Sequence, residues 1–140
     1  MEDYRNRISG PLLDRIDIHV EVPAVEISDL GRNAPAESSA NIRERVISAR
    51  AIQSDRFKGA KNCTNAEMGH SQIKVHCKLD SAGRELLRMA MTELQLSARA
   101  YDRILKVART IADLACAASV RPEHVAEAIQ YRTLDRQLWK

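Results

Sequence analysis

The sequence predicts a mainly α-helical fold, a bundle of about four helices preceded by one short strand. Three observations lead there. Apolar residues recur at helical spacing in four separate stretches, most cleanly across Leu96 to Ala117. Aromatic residues make up only 4% of the chain, so the core must be built from Leu, Ile, Val and Ala, which suits packed helices better than a β-sandwich. Strict alternation of apolar and polar residues is clear at one place only, near the N-terminus. At 140 residues the chain is long enough for one domain with a real core and short for two.

In chain order, the alternating stretch comes first. Ile16, Ile18, Val20 and Val22 alternate with Asp17, His19 and Glu21, the period of a strand with one apolar face, and Pro23 ends it. KVHC around Val75 is too short to supply a second strand. A lone strand cannot satisfy its backbone, so its sheet partners are expected in other parts of a larger protein. Residues 25–38, with Gly31 and Pro35, read as a linker, which leaves 1–24 as one unit and 39–140 as another.

A helix begins near Ser39, with Ile42, Val46, Ala49, Gln53 and Phe57 on one side. Arg43, Arg45, Arg50 and Arg56 scatter around it and read as solvated. Lys58 to Lys78 is a polar connection with room for a helical turn around Ala66 and Met68. Asp80 caps the next helix, whose inner face is Leu86, Leu87, Ala90, Met91 and Leu94, with Met89 and Met91 as core filler. Pro122 opens the last helix, where Val125, Ala128 and Ile129 face inward. Arg132 follows on that face, its stem expected to pack and its head to reach water.

The central helix, Leu96 to Ala117, has the best-sorted faces. Tyr101, Ile104, Leu105, Ala108, Ile111, Ala112 and Ala115 form one. Arg99, Arg103, Lys106 and Arg109 lie opposite, with Asp102 and Asp113 among them. Ser97 is placed to cap the start. Arg99 then falls in the first turn, where the helix dipole disfavours a cation. A cation beside unpaired N–H groups is a good place for an anion, phosphate above all. Arg103, Lys106 and Arg109 read as a solvated basic face.

Composition narrows the classes. A net charge of +3 permits contact with nucleic acid or nucleotide without requiring it. No apolar run has the ~18 residues of a membrane span, so no membrane partner is expected and a soluble, cytoplasmic protein is. Three cysteines, an odd count without paired spacing, fit a reducing compartment, and Cys116 reads as a small packed residue. Cys63, His70, His76 and Cys77 match no common zinc module, so no metal site is assigned. No phosphate-binding glycine loop, HExxH or GxSxG occurs. On the residues alone, the reading stops at a basic-faced helical module that binds something anionic.

Two long runs take it further. YRNRISGPLLDRIDIHVEVP closely resembles the segment near the end of the AAA+ core in magnesium-chelatase-like ATPases of the competence-associated ComM/YifB type. LSARAYDRILKVARTIADLA, with HVAEAIQYRTLDR after it, resembles the C-terminal helical lid of that family, and RERVISARAIQSDRF its first lid helix. The resemblance covers nearly the whole chain. It implies a tail of the ATPase core over 1–24 and an AAA+ lid over 39–140.

It also implies roles. Arg15, in LLDR, is the arginine finger that reaches in trans for the γ-phosphate held by a neighbouring subunit, where a planar, permanent cation neutralises developing charge. Arg99, in LSAR, corresponds to the sensor 2 arginine on the ATP phosphates, with Arg103 the second choice. ATP with Mg²⁺ is the implied cofactor of the intact protein. The implied partners are the rest of the AAA+ core, neighbouring subunits of a homo-oligomeric ring, and DNA in recombination and in uptake of transforming DNA. The Walker motifs are not in this sequence, so the chain alone is expected neither to hydrolyse ATP nor to bind it tightly. Two other readings stay open. One is a stand-alone DNA module in which Arg103, Lys106 and Arg109 contact phosphates together. The other is a magnesium chelatase subunit that drives Mg²⁺ insertion into a porphyrin.

Overall fold

The computed structural model describes residues 15–24, 37–59 and 64–132. Those residues form helix α1 (Ser39–Arg56), a 3-10 turn (Asn65–Glu67), α2 (His70–His76), α3 (Ser81–Glu93), α4 (Ala98–Leu114) and α5 (Pro122–Gln130). The fold is mainly α, as the periodicity predicts. The start signals are local. The side-chain oxygens of Ser38, Asp80 and Ser97 accept bonds from the N–H groups of Asn41, Gly83 and Ala100, three residues on in each case. Gly83 lies so close under its cap that a Cβ would stand 3.1 Å from Asp80 Oδ1. Pro122 starts α5, and the Arg121 N–H donates to His124 Nδ1 at 3.1 Å.

Helix α4 is the axis of the bundle. It packs against α5, α1, α2 and the 3-10 turn, while α3 joins the core through α5. Ala100, Ala108 and Ala112 on α4 are fully buried, as is Ala128 on α5, and these small side chains let the helices approach closely. Ile104, Leu105, Leu87 and Val125 fill the centre; truncating such a residue typically costs about 2–5 kcal/mol. Met68 and Ile73 close one end, so the stretch read as a polar connection supplies core residues and a second short helix.

Several expectations are corrected. Ile16 to Val22 form no strand. No described segment pairs with them as a sheet neighbour, and they lie beside α4 and the end of α5 with Ile18, Val20 and Val22 exposed. On α1, Ala49, Gln53 and Phe57 are buried, whereas Ile42 (44%) and Val46 (46%) remain exposed because the helix's N-terminal half extends past the described packing partners. Tyr101 is 39% exposed, near the start of α4 where the apolar face widens into a cleft. Met91 packs on the core but Met89 is exposed.

Cys116 is exposed, not packed, because it ends α4 in the left-handed conformation, at φ 52°. The N–H of Ala117 reaches the Ala112 carbonyl at 2.8 Å and that of Cys116 the Asp113 carbonyl at 3.0 Å, a Schellman closure. A side chain there carries a steric cost that glycine avoids. Cys116→Gly is therefore expected to raise stability by about 0.5–1 kcal/mol, read from urea unfolding midpoints at unchanged slope.

Candidate functional site

The four cations assigned to the outer face of α4 have four different environments. Arg99 sits two residues after the Ser97 cap, exposed, with no hydrogen bond or ion pair among the described residues. Arg103 pairs with Asp17. Lys106 Nζ donates to the Ala66 carbonyl at 2.9 Å. Arg109, expected to be solvated, is 3% exposed.

Arg109 is buried because the turn after α4 folds back over it. Its guanidinium donates to the carbonyls of Ala117 (2.7 Å) and Ala118 (3.1 Å), pinning the turn that follows α4 back onto the helix. Its Nε also donates to Asp113 Oδ1 at 3.0 Å. Asp113 is fully buried and receives a second arginine, Arg56 of α1, at 2.7 Å and 2.5 Å. Arg56 retains 12% side-chain exposure, against the expectation of a solvated residue. Asn65 completes the cluster, accepting from Arg56 at 2.7 Å and donating to Asp113 Oδ2 at 2.8 Å and Thr110 Oγ1 at 3.1 Å. Its backbone N–H donates to Gln53 Oε1 at 3.2 Å. Burial alone would raise the Asp113 pKa, but the bonds from Arg56 and Asn65 and the two guanidinium charges outweigh it and hold the carboxyl below its usual range.

The segment carrying Arg15 is attached to this bundle at three points. Arg103 holds the Asp17 carboxylate, Arg132 donates to the Ile16 carbonyl, and the His19 N–H donates to the Tyr131 carbonyl at 2.9 Å. Arg132 is 1% exposed, so its head is not solvated as expected; it is turned inward onto the crossing segment. Arg15 itself is exposed. The Asp17–Arg103 pair thus joins the turn carrying Arg15 to the first two turns of α4, where Arg99 stands. Arg15 is two residues from Asp17 in sequence, and Arg99 one helical turn from Arg103.

Among the described residues, no three His, Cys, Asp or Glu side chains gather to hold a metal ion. Cys63 lies outside the described residues. Cys77 is buried in the core, and that burial pushes its thiol up to about 11. The His76 ring packs edge-on to Phe57 at 5.7 Å; burial, then the charges of Arg56 and Arg109, lower its pKa and favour the neutral ring. No helix of the described residues is long and apolar enough to cross a membrane.

Residues 36–132 match the family described as magnesium chelatase, subunit ChlI C-terminal, and residues 1–30 match that described as magnesium chelatase, subunit ChlI. The chain is 42% identical over 138 residues to competence protein ComM of Haemophilus influenzae, covering 98% of this chain and 26% of that protein. It is 41% identical over 136 residues to the uncharacterized protein YifB of Escherichia coli, covering 96% and 26%. An uncharacterized protein of Mycobacterium bovis is 35% identical over 129 residues, covering 92% and 25%. The chain spans about a quarter of the length of the curated relatives it matches.

Proposed function

The chain belongs to the magnesium chelatase ChlI C-terminal family, and from that premise we propose that it is the helical lid of a magnesium-chelatase-like AAA+ ATPase of the competence type. In this reading Arg15 is the trans arginine finger and Arg99 the lid's sensor arginine, acting on ATP with Mg²⁺ bound by the rest of the AAA+ core. The parent is a cytoplasmic homo-oligomeric ring that acts on DNA.

The observation that carries the reading is the Asp17–Arg103 ion pair. It supports a shared task for two exposed arginines that are far apart in sequence, because each stands within one helical turn or two residues of that pair. Arg103 is engaged as the brace, which favours Arg99 over it as the phosphate contact. Arg99 is in the first turn of α4, beside N–H groups that add positive potential toward an anion. Arg15 and Arg99 supply charge; the cradle for the nucleotide and the metal ligands belong to the core.

The DNA-module reading has no such support on α4. Arg109 is buried, Arg103 is paired and Lys106 is spent on a carbonyl, so the three do not form a free phosphate-binding row. The name of one relative, a competence protein 42% identical over 98% of this chain, favours the competence type over a porphyrin-metallating subunit.

The test is Arg99→Ala in the intact protein. ATP turnover is expected to fall about 10–100-fold, the loss of roughly 1.4–2.7 kcal/mol of transition-state stabilisation. Thermal unfolding should be unchanged, since the side chain has no partner among the described residues. Undiminished turnover would remove Arg99 from the site.

A further inference from the structure

A further group of uncommitted cations gathers around a cleft between α2, α3 and α4. A cleft of about 420 Å³ opens between α2, the start of α3 and the start of α4, lined by His70, Lys74, Lys78 and Arg84 with Tyr101 and Asp102 across it. Lys74, Lys78 and Arg84 are exposed, and their side chains make no ion pair or hydrogen bond among the described residues. Asp102 is the one carboxylate in the lining, 3.6 Å from His70 Nδ1. Ile73, Cys77 and Leu105 give the cleft an apolar floor. Tyr101 is the aromatic of its lining and keeps 39% of its surface in water.

We propose that this cleft binds a single nucleic-acid strand, with phosphates on Lys74, Lys78 and Arg84 and a base against Tyr101. The cations come from α2, from the connection after it and from the beginning of α3. Three cations from three successive segments suit the successive phosphates of a chain, whereas a single phosphate group is usually held by converging backbone N–H groups. The apolar floor and the exposed ring provide what a base needs beside its backbone, and stacking of this kind tolerates any sequence because every base has a π-face. An acidic peptide would engage the cations and leave the ring unused. The inference is independent of the nucleotide-lid reading: Arg99 acts on turnover, the cleft on strand binding.

The test is fluorescence anisotropy with a labelled oligothymidylate of about 15 nucleotides, long enough for one single-strand site, titrated with the 140-residue chain at several salt concentrations. Charge reversal of Lys74, Lys78 and Arg84 to Glu is expected to weaken binding at least ~10-fold at low salt. It should also flatten the log–log salt slope by about 2, at roughly 0.7 per phosphate contact on a single strand. Tyr101→Ala should weaken binding about 5–10-fold while Tyr101→Phe retains it, which a purely electrostatic surface would not do. Arg43→Glu with Arg50→Glu, on exposed α1 positions outside the cleft, should change affinity by less than about twofold. Should the triple variant lose helical content, Lys74→Gln and Lys78→Gln singly are each expected to flatten the slope by about 0.7. No binding by the unaltered chain, equal loss from the α1 pair, insensitivity to Tyr101, or equal competition by polyglutamate would each overturn the proposal.

Discussion

Asp113→Ala is expected to destabilise the domain by about 3–5 kcal/mol, because it removes the shared anion from two buried guanidinium groups and leaves both uncompensated. For a domain whose total stability is about 5–15 kcal/mol this is a large fraction. The cluster is where α1, the 3-10 turn and α4 meet, so the loss should appear first as detachment of α1 and the turn from α4. Hydrogen exchange in Ser39–Arg56 should rise more than in α5. Asp113→Asn keeps the shape and loses the charge, and it isolates the electrostatic part. Because the folded carboxyl has a depressed pKa, its contribution is complete above the unfolded value of about 4 and is lost as the pH falls through the lower folded value. The unfolding free energy of the unaltered protein should therefore decline below about pH 4.5, and that of Asp113→Asn should decline less. Arg56→Met combined with Asp113→Ala should cost clearly less than the sum of the two single changes, since the pair is in direct contact. Full additivity would mean that the cluster is a set of independent surface-like contacts.

How much of this was legible beforehand differs by element. The helices beginning after Ser38, Asp80, Ser97 and at Pro122 each carry a cap and a period, two local signals that agree, and their starts follow from the sequence. The alternation of Ile16 to Val22 is equally clean, yet no described segment offers a sheet partner, and a period of two cannot form a strand without one. Helix α2 was missed because seven residues, with His70, Lys74 and His76 among them, carry too short a period to stand out from a polar loop. Arg109 and Asp113 were misplaced for another reason. They flank the apolar stripe at a spacing of four, and a helical wheel puts such residues at a boundary that tertiary packing then assigns. The signal that was available is the i, i+4 pairing itself, which marks a mutually satisfied couple that can be buried. Arg56, Asn65 and Gln53 join that couple across large sequence separations, and nothing local announces it. The same holds for the three nominated arginines. Motif resemblance nominates them, but that Asp17 binds Arg103 on α4 is a tertiary fact that no local pattern announces.

Arg15→Ala in the intact protein is expected to lower kcat by about 10³-fold or more, the range an arginine finger supplies in phosphoryl transfer. The proposed trans role makes a sharper demand than the magnitude. In mixed oligomers, each altered subunit should silence the site of its neighbour, so activity in the mixture should fall in a pattern set by subunit adjacency and show poisoning of unaltered sites. A strictly proportional fall would assign Arg15 to its own subunit's site. The bracing of its segment gives a second handle. A guanidinium that must meet a transient charge gains from being held in place beforehand, and here the carbonyl of Ile16, the carboxylate of Asp17 and the N–H of His19 are all tied to the bundle. Arg103→Lys preserves a cation for Asp17 and should retain most of the turnover, whereas Asp17→Ala should release the segment and lower kcat with little change in nucleotide affinity. If Arg103 were instead the sensor on the phosphates, lysine would be a poor substitute for its planar fork and Asp17→Ala would be nearly silent. The two readings predict loss at opposite members of the pair, so these variants decide whether Arg103 acts on the nucleotide or braces the segment of Arg15.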